Sequence, residues 1–159
     1  MPRFKEFDSF FYTTSTATTT DNLTALNISG GSYVTITPEA TGDILEFGWF
    51  FNLYCPEGYG GIGVQRATNT GFSAGVTTVF ATGTHGIGVS EDWSDSSHYK
   101  AMGASVFVTC AGLTVDTPYY FRMIGQTHGS SIVTFGNTVG GHTNMQGIRL
   151  HCKRWSILW

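Results

Sequence analysis

The sequence is poor in charge. Asp, Glu, Lys and Arg make up 12% of its 159 residues, against about 25% in a typical soluble domain. With 8 Lys and Arg against 11 Asp and Glu, and a net charge of -3, it lacks the basic surface that tracks a phosphate backbone. The densest basic run is Arg149, His151, Lys153 and Arg154. On a strand the first three share one face, which reads as a solvated or subunit-facing surface. No nucleic-acid partner is expected. Long apolar runs are also missing. Ile44 to Cys55 is the longest, and Glu46, Gly48 and Asn52 interrupt it. It is too short and too polar to cross a bilayer, so no membrane partner is expected. No apolar stretch follows the opening Met1 to Asp8, so folding in a cytoplasm is expected. The three cysteines, Cys55, Cys110 and Cys152, form no CxxC pair, which argues against a zinc or redox motif. Cys110 and Cys152 lie in apolar strand-like runs and read as small buried hydrophobes. Helical periodicity is absent over any stretch of ten residues or so.

What remains is period-2 alternation, β-branched and aromatic residues, and glycine. Thr, Ser, Gly and Asn take the place of charge at the surface. Hydrophobic residues reach 41%, and there are 21 glycines, 12 Phe, 7 Tyr and 4 Trp. A chain of this length buries roughly 70% of its unfolded surface, enough for a core without metals or disulfides. Asp43 to Cys55 is the strongest strand. Leu45, Phe47, Trp49, Phe51 and Leu53 fall on one face and must be core. Ile44, Glu46, Gly48, Phe50, Asn52 and Tyr54 fall on the other, a mixed aromatic face suited to a subunit contact. Further strands are predicted at Phe10–Thr14, Leu23–Ile28, Tyr33–Thr37, Ile62–Ala67, Val76–Ala81, Ala104–Cys110, Tyr119–Thr127, Ile132–Phe135 and Gly147–Trp155. The loop-rich segment Gly83 to Ser97 holds Glu91, Asp92 and Asp95, without the spacing of a calcium loop. About eight to ten short strands between turn signals predict one all-β domain, an antiparallel sandwich of jelly-roll type. Residues 1–40 are expected to form an N-terminal arm with the first strands, and residues 41–159 the jelly roll.

Two catalytic motifs occur out of context. Gly58 to Gly63 spells GxGxxG, but Val64-Gln-Arg-Ala67 continues as strand where a dinucleotide site needs a helix. Gly71-Phe-Ser73-Ala-Gly75 spells the nucleophile elbow, with Asp92, Asp95 and His98 following in hydrolase order. A hydrolase built on Ser73 and His98 is the remote alternative, since Val76 to Phe80 is a poor helix. The five histidines make no HxH or HxxxH pair; a ring of one His per chain of a trimer is the arrangement that would hold a metal. No catalytic residue, metal or cofactor is expected.

From Gly42 to Trp155 the chain resembles the C1q/TNF-like jelly-roll domains of bacteriophage virion proteins. The resemblance is carried by the apolar strand Gly42-Asp-Ile-Leu-Glu-Phe-Gly-Trp-Phe-Phe and the Gly-rich hairpin into Gly63-Val-Gln-Arg66. Phe80-Ala-Thr-Gly-Thr, Val115-Asp-Thr-Pro-Tyr-Tyr-Phe-Arg-Met and the closing strand Gly147 to Trp155 complete it. It implies a compact, non-enzymatic homotrimer in a virion. The absence of a shaft or coiled-coil region favours a capsid cement or decoration protein, with the major capsid protein or another virion protein as partner. The alternative is the receptor-binding knob of a tail fibre, which takes a host glycan. Large apolar groups crowd both ends, so Phe4, Phe7, Phe10, Phe11, Tyr12, Phe50, Tyr54, Trp155 and Trp159 are the candidate interface. Tyr59, Phe72, Trp93 and Tyr99 are the candidate glycan contacts, because exposed rings stack on sugars.

Overall fold

The architecture comes from a computed structural model. It describes residues 2–12, 16–18, 26–54, 59–80, 100–128, 133–135 and 148–157. Every regular element in these residues is a strand. They are β1 (Pro2–Tyr12), β2 (Thr16–Thr18), β3 (Leu26–Asn27), β4 (Val34–Ile36), β5 (Ile44–Tyr54) and β6 (Tyr59–Ala67). β7 (Thr77–Phe80), β8 (Lys100–Thr109), β9 (Tyr119–His128), β10 (Val133–Phe135) and β11 (Ile148–Ile157) follow. All pairings are antiparallel, and they form one six-stranded and one five-stranded sheet.

β5 organises the larger sheet. Ile44 to Phe50 pairs with β11 and, at the same residues, with β8. A strand has two edges, so β8 and β11 lie on opposite sides of β5. β10 continues the β11 edge at Leu53 and Tyr54, and β1 flanks β11 along its whole length. The sheet is therefore four positions wide, ordered β8, β5, β11, β1. The smaller sheet runs β7, β6, β9, with β3 and β4 sharing the outer edge of β9. Residues 2–12 and 34–36 belong to these sheets, so β1 is an integral strand.

The alternation along β5 is as the sequence predicts: Leu45, Phe47 and Trp49 are buried. They meet Ile148, Leu150 and Cys152 of β11, Phe121 and Met123 of β9, Ile62 and Val64 of β6, and Val34 and Ile36 of β4 in one core between the sheets. The Phe47 and Phe121 rings join the sheets at 5.0 Å. Cys110 and Cys152 are buried free thiols within this core. Burial raises the Cys110 pKa to about 11 and pushes that of Cys152 well up.

One end of the sandwich is closed by ions. Arg154 is buried and lies 2.9 Å from Asp43, 2.8 Å from Glu39 and 3.2 Å from Glu6. Burial works against its charge; the three carboxylates more than offset this and hold its pKa above the ordinary value. The same carboxylates bind backbone. Asp43 accepts the amides of Glu39 and Ala40. Glu6 accepts that of Thr37, and Asp8 that of Thr35 at 2.7 Å. β1 thus ties the larger sheet to the β4 edge of the smaller one. Arg154→Met would leave the buried Asp43 without its counter-charge, so chemical denaturation should show a loss of about 3–5 kcal/mol.

Glu39 titrates below its ordinary 4.5, chiefly through the Arg154 hydrogen bond. A depressed acid stabilises the fold above its unfolded pKa and loses that contribution as pH falls through the folded one. Stability should therefore fall with acid below about pH 4.5, and Glu39→Gln should flatten that slope in urea melts taken across the range.

Candidate interaction surface

The outward residues of the larger sheet form a grid fixed by register. Across β8, β5, β11 and β1 one row reads Phe107, Glu46, Lys153, Phe7. On one side lies Ser105, Gly48, His151, Ser9, and beyond it Gly103, Phe50, Arg149. On the other side lies Thr109, Ile44, Trp155, Phe4. Four of the five large apolar residues that are exposed among those described lie on this face: Phe4 at 53%, Phe7 at 53%, Phe50 at 36% and Phe107 at 63%. Single exposed hydrophobes need no explanation, but several on one sheet face mark an interaction surface.

Phe4 and Phe7 reach the same face through a bulge. In an ideal strand, residues three apart point to opposite sides. The β1–β11 register shifts between Phe4 and Glu6, and the extra residue brings both rings outward. Phe10, three residues further on without a bulge, turns inward and packs on the core. It leaves the candidate interface for that reason.

A polar centre sits among the rings. Glu46 accepts hydrogen bonds from Lys153 Nζ at 3.2 Å and from the Trp155 indole at 2.9 Å. Phe4 packs edge-on against Trp155 at 5.7 Å. His151 lies against Phe7 at 6.1 Å and over Gly48, where an added Cβ would collide with the imidazole. Glycine at position 48 therefore makes room for that ring. Burial, with Lys153 and then Arg149 nearby, lowers the His151 pKa below its ordinary value, against an opposing pull from Glu46. The face carries both signs, Glu46 against Lys153 and Arg149, and is rimmed by aromatic rings.

The remaining candidates fall elsewhere. Phe11 holds the register position opposite Arg149 and Tyr12 that opposite Ile148, while Tyr54 and Tyr59 lie in β5 and β6. The side chains of these four lie outside those described. Trp93, Tyr99, His98 and Trp159 lie outside the described residues altogether. Phe72 lies on the loop between β6 and β7, over the opposite sheet. The two motif matches sit on strands and turns. Tyr59 to Gly63 is part of β6. Ser73 is at a strand-to-strand turn, hydrogen-bonded through its Oγ to Asn69 Nδ2 at 2.8 Å.

Comparison with protein-family models finds no match, and a search of curated proteins finds none either.

Gly48→Ala should displace the His151 imidazole into water. The His151 pKa, read from the pH dependence of its NMR signals, should lie below 6.5 in the native protein and move toward 6.5 in the variant.

Proposed function

We propose that the chain is a structural protein of a bacteriophage virion: a homotrimeric capsid cement or decoration protein of jelly-roll type, associating through the outer face of its larger sheet. The concentration of exposed phenylalanines on that one face carries the reading. Monomeric proteins seldom expose contiguous apolar patches of more than a few hundred Å², and larger ones mark interfaces. A face with acid and base interleaved also suits contact with copies of itself, since unlike charges can be opposed.

The strand pairing supports the jelly roll. β6 pairs with β7, β5 with β8, β4 with β9 and β1 with β11. These are nested pairs, as in one long antiparallel ribbon. The β5–β11 and β6–β9 pairings then roll the ribbon into two sheets. Eight strands wound in this way match the double-sheet jelly roll. The resemblance to phage virion domains supplies the virion, the threefold assembly and a particle-surface protein as partner. A glycan-binding knob is the second reading, and a feature beside Phe72 bears on it below.

The test is a paired substitution that spares the subunit. Phe7→Glu would face Lys153 across the strands, and Phe107→Lys would face Glu46. Each new charge meets its opposite within the sheet, which favours the monomer fold, while the apolar contact is lost. Light scattering after size exclusion should give three times 17.2 kDa for the native chain. The double variant should run as a folded monomer. A native protein that is already monomeric would overturn the reading.

A further inference from the structure

The smaller sheet turns a different kind of surface outward. Arg122 on β9 and Gln65 on β6 are register partners. Arg122 Nε and Nη2 both donate to Gln65 Oε1, at 3.0 and 2.6 Å, and its guanidinium stacks 4.2 Å from the centre of the Phe72 ring. The side chain is half-buried and has no carboxylate partner among the described residues. Burial lowers its pKa. Burying a guanidinium has a cost that three carboxylates offset at Arg154; at Arg122 no carboxylate among the described residues does so.

Arg122 lines a cavity of about 240 Å³ together with Asn27, Ser32, Thr70 and Phe72. Its walls are held rigidly. Asn27 fixes the 27–30 turn through hydrogen bonds to the Gly30 carbonyl and the Ser29 amide. Asn69 accepts the Ser73 amide on its side chain and the Phe72 amide on its carbonyl. Phe72 sits at φ 50°, in the left-handed region. A bulky residue there is strained, and such strain persists where the surroundings enforce it, often beside ligands.

We infer that this cavity is a binding site for a carboxylate-bearing sugar, with Arg122 pairing the carboxylate, Ser32 and Thr70 contacting hydroxyls, and Phe72 setting one wall. The volume falls below the usual range of about 300–1,000 Å³ for drug-sized ligands and suits a single ring. A guanidinium edge matches a carboxylate in a planar, two-point contact. The site lies on the outer face opposite the aromatic grid, so an assembly that covers the grid leaves it open. It goes beyond the self-association reading and does not depend on it.

Isothermal titration of the full chain with D-glucuronate, D-glucose and inorganic phosphate tests it. Glucuronate should bind with a Kd of about 1 mM, and glucose and phosphate should each bind at least about tenfold more weakly. Arg122→Gln should remove glucuronate binding. Phe72→Gly, which accepts φ 50° without strain, should weaken it several-fold in a protein that folds normally. Both variants should keep the native mass, which separates this site from the aromatic face. No glucuronate binding, binding unchanged by Arg122→Gln, or equal binding of glucose would overturn the proposal. Equal binding of phosphate would mark a bare anion site and overturn it as well.

Discussion

The central constraint is that β5 has neighbours on both edges. A strand paired with β8 on one side and β11 on the other cannot slip by a residue without turning every side chain over. Phe47 would leave the core and Glu46 would enter it. That fixed phase decides which residues of β11, β8 and β1 face inward, because register partners share a face. The buried series Leu45, Phe47, Trp49 and the outward series Ile44, Glu46, Gly48, Phe50 are thus two results of one restriction. The core and the interaction surface are opposite sides of the same strand.

The second restriction lies at the end of the sandwich, where apolar packing gives way to the Arg154 cluster. Glu6, Glu39 and Asp43 each satisfy Arg154 as well as backbone or solvent. An ion network so placed contributes little net stability against an apolar replacement, yet is costly to break on one side. Its effect is geometric. It ties β1 to β4, next to the bulge that brings Phe4 and Phe7 to the outer face. A polar cluster thus lies on one side of β1 and the apolar surface on the other.

Much of this was legible in the sequence, and the rest was hidden for definite reasons. The all-β class, the two faces of β5, the shared face of Arg149, His151 and Lys153 on β11, and the buried Cys110 and Cys152 follow from period-2 patterning. β1 was harder. Phe4, Phe7 and Phe10 recur every three residues, which fits no ideal strand, and only the bulge at Lys5 reconciles the first two with one face. Phe10 was read as interface for want of that phase. Arg154 and Glu6 are 148 positions apart, so no local pattern announces their contact. Arg122 and Phe72 meet through strand register and a turn, and Phe72 alone was visible as a candidate ring. Phe107 stands in a run of small and β-branched residues, Ala104 to Cys110, whose pattern does not mark which face turns outward.

Carbene footprinting of the native protein, read by mass spectrometry at residue level, tests directly whether other copies of the chain cover the outer face of the larger sheet in solution, as proposed. Phe4, Phe7, Phe50 and Phe107 should be protected, while the exposed Val76, which precedes β7 of the other sheet, should be labelled freely. Labelling of the four phenylalanines at rates matching their exposure in the single chain would contradict it.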